Sequence, residues 1–255
     1  MIVKKDVLFT PVNKVRRLHI YLPDDYEESE EHYPVMYFFD GHNLFFDEDA
    51  TFGKSWGLKE FLDHWSKKII IVGIECGHEN DERLIEYCPY HYIASFCGEI
   101  DGIGHQTLSW IADELKPMID QTYRTYTHRE ATGIGGSSMG GLMAVYAAAK
   151  FNDTFSKAAC LSSSIAPCMT DIVRDIKEGP IDPDTRVYLS WGEHESYSKA
   201  KNPMNTVIAR ANLRAEKTFM DQGATTYIYY QHNGYHSEAS WERQVPLFMN
   251  FLWLG

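Results

Sequence analysis

What most constrains this chain is an alternation. Short, wholly apolar runs of strand length are separated by segments whose apolar residues recur at helical spacing. Residues 33–39 (YPVMYFF) and 68–74 (KIIIVGI) are continuous apolar runs that end at turn-forming residues, as fully buried strands do. Between them, 57–67 carries Leu58, Phe61, Leu62 and Trp65, the spacing of one helix face. The pattern continues with a helix over 107–123, a strand at 131–135, an Ala-rich helix over 139–150, and strands at 155–161 and 186–190. A long helix over 203–222, a strand at 225–230 and a helix over 241–254 complete it. Residues 3–9 and 15–22, joined by a turn at 11–13, read as an antiparallel hairpin at the start. Strand–helix alternation after a hairpin predicts a mostly parallel central sheet with helices on both faces.

No linker, repeat or change of composition divides the 255 residues, so the expectation is a single domain, 1–255. Residues 75–104, rich in aromatics and glycine, read as an excursion over one end of the sheet. In such sheets the chemistry lies at the carboxyl ends of the strands, so the loops after Phe39, Gly135, Ser190 and Tyr230 are the places to search.

One of those loops carries a nucleophile motif. Gly136-Ser137-Ser138-Met139-Gly140 matches G-x-S-x-G in a single frame, because Ser137 would need glycine where Met139 stands. A serine on a tight strand-to-helix turn is crowded by its neighbours two residues away, and glycine at both positions removes the clash. The motif lies between an apolar strand and an Ala-rich helix, the context it requires in the α/β-hydrolase fold. Ser138 is therefore the candidate nucleophile. The N–H of Met139, opening the helix, is a candidate oxyanion donor.

The fold orders its remaining catalytic groups as acid, then histidine. Of eleven histidines only His194, His232 and His236 follow Ser138. His236, in the loop between the last strand and the last helix, suits the base best. His232 is nearer the strand and His194 overlaps the expected acid. The acid should follow the strand at 186–190, where Glu193 and Glu195 compete; Glu195 reaches further from the strand end and is preferred.

The segments GGSSMGG, FFDGHNLF and GYHSEASW together resemble the putative-esterase family of the α/β-hydrolase superfamily, over nearly the whole chain. That family includes trilactone esterases of the enterochelin type, feruloyl and acetyl esterases, S-formylglutathione hydrolases and the mycolyl-transferring antigen 85 proteins. The resemblance implies Ser138 as nucleophile, His236 as base, and backbone N–H donors from Met139 and His42. A G-x-x-D pattern supplies the acid in the family's feruloyl esterases. Here Gly192-Glu193-His194-Glu195 aligns with it, with glutamate in the aspartate position. The antigen 85 type draws its glutamate from the following helix, where this chain has Ala209.

The expected activity is ester hydrolysis through an acyl-enzyme, without metal or organic cofactor. The substrate would be a small ester, such as an acetyl, feruloyl or similar carbohydrate-linked one. A siderophore trilactone esterase, an S-formylglutathione-type thioesterase and a non-catalytic binding module on the same fold are the competing readings. Trp56, Trp191 and Tyr235 are candidates to line a cleft, although aromatic residues pack cores before they bind ligands. Arg83 and Glu86 are read as a structural pair. A net charge of −12 disfavours nucleic acid and anionic membranes as partners. Five cysteines without a CxxC pair argue against disulfides or zinc, with Cys76 and Cys160 as small buried hydrophobes. With no apolar leader at MIVKKDVLF, a reducing, cytoplasmic location is the expectation.

Overall fold

The computed structural model describes residues 1–94, 98–195 and 203–254. It divides into two compact units, Met1–Gly133 and Ile134–Gly255.

In the first unit, β1 (Ile2–Phe9) and β2 (Lys14–Tyr21) form the expected antiparallel hairpin around a 3-10 turn at Thr10–Val12. Asn13 closes the turn at φ +53°, a left-handed conformation that asparagine tolerates better than most side chains. The apolar runs become β3 (Val35–Phe39) and, after α1 (Leu58–His64), β4 (Ile70–Ile74). All ten residues of these two strands are buried, which is why neither alternates in polarity. β3 and β4 pair parallel and β2 pairs antiparallel with β4, giving the order β1-β2-β4-β3. The excursion holds α2 (Glu82–Glu86) and a separate antiparallel pair, β5 (His91–Ala94) with β6 (Gly98–Asp101). A helical run follows: α3 (Gly104–Trp110), a π-helical turn at Ile111–Leu115 and α4 (Lys116–Thr122). Trp110 from this run packs edge-on against Phe9, with ring centroids 5.0 Å apart.

β7 (Thr132–Ser137) begins at the end of the first unit and runs into the second, which continues with α5 (Met139–Lys150) and β8 (Lys157–Leu161). A helix that periodicity did not announce, α6 (Met169–Glu178), comes next. β9 (Arg186–Gly192), α7 (Val207–Asp221) and β10 (Thr225–Gln231) follow. The order is β7-β8-β9-β10, with β9 parallel to both β8 and β10. Ten of the twelve residues of α5 are buried, so its alanines and glycines serve close approach on several sides. α5 packs on β8 and α7 on β9 and β10, with α6 between the two helices. α7 starts later than its sequence pattern, at Val207, because Thr206 caps it: Ala209 N–H donates to Thr206 Oγ1 at 3.1 Å.

The expected last helix is two: α8 (Glu238–Glu242) and α9 (Val245–Trp253), with Pro246 in the first turn of the second. α9 covers the face of β9 that carries Tyr188, whose ring lies 5.9 Å from that of Phe248. Tyr188 O–H donates to Gln244 Oε1 at 3.0 Å, and Gln244 Nε2 donates to Gln231 Oε1 at 2.8 Å, so these three buried side chains satisfy one another. The architecture is the mostly parallel α/β-hydrolase arrangement with an antiparallel N-terminal hairpin and helices on both faces. No helix among the described residues is long and apolar enough to cross a membrane.

Candidate active site

Ser138 stands between β7 and α5 with φ +59° and ψ −120°, outside the regions a side chain prefers. The turn survives because of its glycines. A Cβ on Gly136 would lie 2.7 Å from the carbonyl carbon of Gly140, backbone against backbone. The Ser138 N–H donates to Leu161 O at 3.0 Å, and its carbonyl accepts from Leu142 N and Ser164 N, each at 3.0 Å. The backbone is thus over-determined while Ser138 and Met139 stay half-buried. Met139 is the first residue of α5, so its N–H is one of those a helix cannot bond internally, and it sits at the positive end of the helix dipole.

The candidate base and acid meet. His236 follows β10, and its Nδ1 lies 3.4 Å from Glu195 Oε2. The Glu195 side chain is only 3% exposed. Its Oε1 accepts from Gly192 N–H at 2.6 Å and from Ser162 O–H at 2.7 Å. Gly192 must be glycine here, because a Cβ would meet Gly234 O at 2.5 Å and Glu195 Oε1 at 2.9 Å. Glu193 turns elsewhere. It is 37% exposed, accepts the Asn233 N–H at 2.9 Å and lies 3.7 Å from His232 Nδ1. The Asn233 bond is the main cause of a Glu193 carboxyl below its ordinary pKa. His194 stacks on Tyr235, ring centroids 4.5 Å apart. The three histidines therefore have separate partners, and only His236 reaches the buried carboxylate.

Ser138 Oγ lies 3.4 Å from Ser164 Oγ, and among the described residues no hydrogen bond joins it to His236. Catalytic hydrogen bonds of this kind are commonly long or open before substrate binds. Two residues near the acid or the nucleophile were not singled out from sequence for a role there: Ser162 and Ser164. The only signal was the position of the run Ser162-Ser163-Ser164 directly after β8, at the carboxyl end of a strand.

In the first unit, His42 belongs to the turn Gly41–Asn43 that follows β3. Its Nε2 pairs with Thr51 Oγ1 at 2.9 Å, its Nδ1 is buried without a hydrogen-bond partner among the described residues, and burial holds its pKa below the ordinary value. A neutral, enclosed imidazole leaves the residue's backbone as its available chemistry. The turn is pressed onto β4, since a Cβ on Gly41 would lie 2.3 Å from the carbonyl carbon of Gly73. Asp40 sits in the left-handed region at φ +57° and receives both arms of Arg83, at 2.8 and 2.7 Å. Arg83 does not pair with Glu86, as the sequence reading had it. Glu86 is held by Arg16 and by the Gly77 N–H at 3.0 Å, and α2 instead braces the turn through Asp40. Burial opposes ionisation of Asp40, but the Arg83 charge prevails and its pKa is lowered.

Of the aromatic candidates, Trp56 and Trp191 are buried and Tyr235 is 56% exposed. Trp56 packs edge-on against Phe38, and Trp191 packs at a tilt against Tyr230. Phe96, Tyr197 and Cys97 lie outside the described residues. No group of three or more His, Cys, Asp or Glu among the described residues is arranged to hold a metal ion.

The family model for putative esterases matches residues 10–248. An uncharacterized protein of Bacillus subtilis, YbbA, is 26% identical over 213 residues, covering 82% of this chain and 80% of its own. An IroE-like serine hydrolase from Shewanella oneidensis superposes with a TM-score of 0.75 at 22% identity, over 98% of this chain and 81% of that one. The BES protein from Bacillus cereus does so with a TM-score of 0.74 at 19% identity, over 98% and 94%. The strand-to-helix elbow at Ser138 thus stands in a chain that belongs to the putative esterase family, a carboxylic ester hydrolase.

Proposed function

We propose that the chain hydrolyses a small carboxylic ester, of the acetyl, feruloyl or a similar carbohydrate-linked kind, through a Ser138–His236–Glu195 triad and an acyl-enzyme. The observation that carries this reading is the buried Glu195 carboxylate, with Oε1 taken by two donors and Oε2 facing His236 Nδ1. An acceptor at Nδ1 keeps the proton there and leaves Nε2 free to accept one. His236 Nε2 takes the proton from Ser138 as Oγ leaves Ser164 and attacks the ester carbonyl. Glu195 stabilises the imidazolium that forms. The Met139 N–H stabilises the tetrahedral oxyanion, a contribution of about 3 kcal/mol for such a donor. The His42 N–H, in the braced turn after β3, is the second donor that the family resemblance implies. The imidazolium then protonates the leaving alcohol, and a water activated by His236 releases the acid and regenerates Ser138.

Tyr235 is the exposed aromatic beside His236 and the candidate to contact the substrate. We take the two units as one catalytic domain, since the family match runs through both. Four cysteines, Cys76, Cys88, Cys160 and Cys168, are free and buried, which supports a reducing, cytoplasmic compartment. Ser138→Ala should abolish hydrolysis of p-nitrophenyl acetate and labelling by a fluorophosphonate while leaving the fold intact. Full activity in that variant would refute the assignment. A panel of acyl esters, acetylated sugars, feruloyl esters and S-formylglutathione tests the substrate class, and similarly slow turnover of all of them would reject it.

A further inference from the structure

The hydrogen bonds behind Glu195 run in one direction, and the chemistry of the donors fixes which. An indole N–H can only donate. Trp241 Nε1 lies 2.8 Å from Ser162 Oγ, so Ser162 accepts there. Its single hydroxyl proton is then committed to its other neighbour, Glu195 Oε1 at 2.7 Å. An ionised carboxylate accepts on both oxygens, and with the Gly192 N–H added Oε1 is engaged twice. Oε2 is the oxygen left for His236.

Two further observations tie this relay to the imidazole. Ser162 sits at φ +47°, a left-handed conformation costly for a residue with a side chain, and its N–H is held by Ser190 O at 2.9 Å. The Trp241 ring meets the His236 ring edge-on, centroids 5.2 Å apart and planes at 83°. One side chain therefore both borders the imidazole and orients the hydroxyl that holds its acid.

We propose that Ser162 and Trp241 are positioning residues for the hydrolysis: the Trp241 N–H sets the Ser162 hydroxyl, and Ser162 locks Glu195 with Oε2 toward His236. The proposal rests on the Ser138–His236–Glu195 reading. Glutamate has one more side-chain torsion than aspartate, and untethered it would spend that freedom in rotamers that miss the imidazole. The relay removes the freedom.

The test measures kcat and KM for p-nitrophenyl acetate across the neutral pH range in Ser162→Gly, Trp241→Phe, Glu195→Gln and the Ser162→Gly/Glu195→Gln double variant. Glycine accepts the left-handed backbone without a hydroxyl, and phenylalanine keeps an aromatic ring without the N–H. Ser162→Gly should lower kcat about 10- to 100-fold, a part of what a positioned general base supplies, with KM within about threefold. Trp241→Phe should lower kcat about fivefold, the net worth of one hydrogen bond. In the Glu195→Gln background, removing Ser162 should cost less than about twofold more. Full activity in Ser162→Gly beside a crippled Glu195→Gln overturns the proposal and leaves the triad standing. An equal Ser162 loss in both backgrounds also overturns it, since Ser162 would then act elsewhere. An active Glu195→Gln overturns the triad itself. If Ser162→Gly does not fold, Trp241→Phe carries the same cycle.

Discussion

Replacing Glu195 by glutamine changes one oxygen to an amide and little else in volume, yet the surroundings dictate how the amide must lie. Two donors, the Gly192 N–H and the Ser162 O–H, point at Oε1. The amide oxygen has to take that place, because an NH2 there would face two donors. The NH2 group then occupies the Oε2 position, 3.4 Å from His236 Nδ1. A donor in that place selects the imidazole tautomer whose Nδ1 accepts, so the proton moves to Nε2 and His236 can no longer take one from Ser138. The same inversion costs a serine triad about 10⁴-fold in kcat, or about 5 kcal/mol of transition-state stabilisation. Because the Glu195 side chain is 3% exposed, water cannot stand in for the lost acceptor. The expected result is therefore a fall of about 10³- to 10⁴-fold in kcat on p-nitrophenyl acetate, with melting behaviour little changed. Glu193→Gln is the control. Its carboxylate serves the Asn233 N–H at the surface, and the variant should retain kcat within about twofold. Glu195→Gln retaining more than about a tenth of wild-type kcat, or a larger loss in Glu193→Gln, would refute the reasoning.

Ser138→Gly should abolish hydrolysis and raise the melting temperature by about 2–4 °C, because glycine relieves about 1 kcal/mol of elbow strain; an unchanged or lower melting temperature counts against the strain. Gly136→Ala should destabilise by about 2 kcal/mol and lose most activity, since its Cβ would stand 2.7 Å from the Gly140 backbone; wild-type melting and turnover would contradict this. Asp40→Asn should cost about 3 kcal/mol near neutral pH by leaving Arg83 unpaired, the lower end for a buried pair because the Arg83 side chain is 32% exposed. The folded-state pKa of Asp40 is lowered, so its contribution is complete above the ordinary carboxylate pKa of 3.8 and disappears as pH falls through the folded value. Urea titrations of wild type and Asp40→Asn should therefore converge in acid, and a difference that stays constant with pH would exclude this linkage.

Sequence revealed most where a single residue type or a continuous run sufficed. β3 and β4 announced themselves because both faces are buried, and the elbow because two glycines are needed within five residues. α6 went unread although Ile172, Val173 and Ile176 share its buried face. It spans only ten residues between Pro167 and Pro180, and Asp171, Arg174, Asp175, Lys177 and Glu178 dilute its apolar stripe. The run over 104–122 contains a π turn that no periodicity of 3.6 describes. The acid posed a different difficulty. Glu193 and Glu195 are two residues apart, so strand alternation cannot separate them, and what distinguishes them is which donors each meets. Those donors include Ser162, 33 positions from Glu195 in sequence, which is in turn held by Trp241, 79 positions from Ser162. Contacts at such separations leave no local pattern. Arg83 illustrates the same point: its partner is Asp40, 43 residues earlier, rather than Glu86 three residues on.

The backbone records where function is concentrated more openly than the side chains do. Among the described residues, six that are not glycine have positive φ. Asn13 and Asn80 lie in turns that carry no candidate site residue. The others are Asp40, Ser138, Ser162 and Asn233, which come directly after β3, β7 and β8 and two residues beyond β10. Each such conformation costs of order 1–2 kcal/mol and persists only because the surroundings enforce it. Asp40 is gripped by Arg83, Ser138 by Leu161 and Leu142, Ser162 by Ser190 and Glu195, and Asn233 by Glu193. Glycine would remove the cost at all four and is used at none. At three of them the side chain does something glycine could not: Asp40 anchors the turn that carries His42, Ser138 supplies the candidate nucleophile, and Ser162 bonds the candidate acid. At Asn233 it is the backbone N–H that holds Glu193, drawing it toward its own loop. Strain at these four positions therefore falls at the carboxyl ends of strands that bear the candidate site residues.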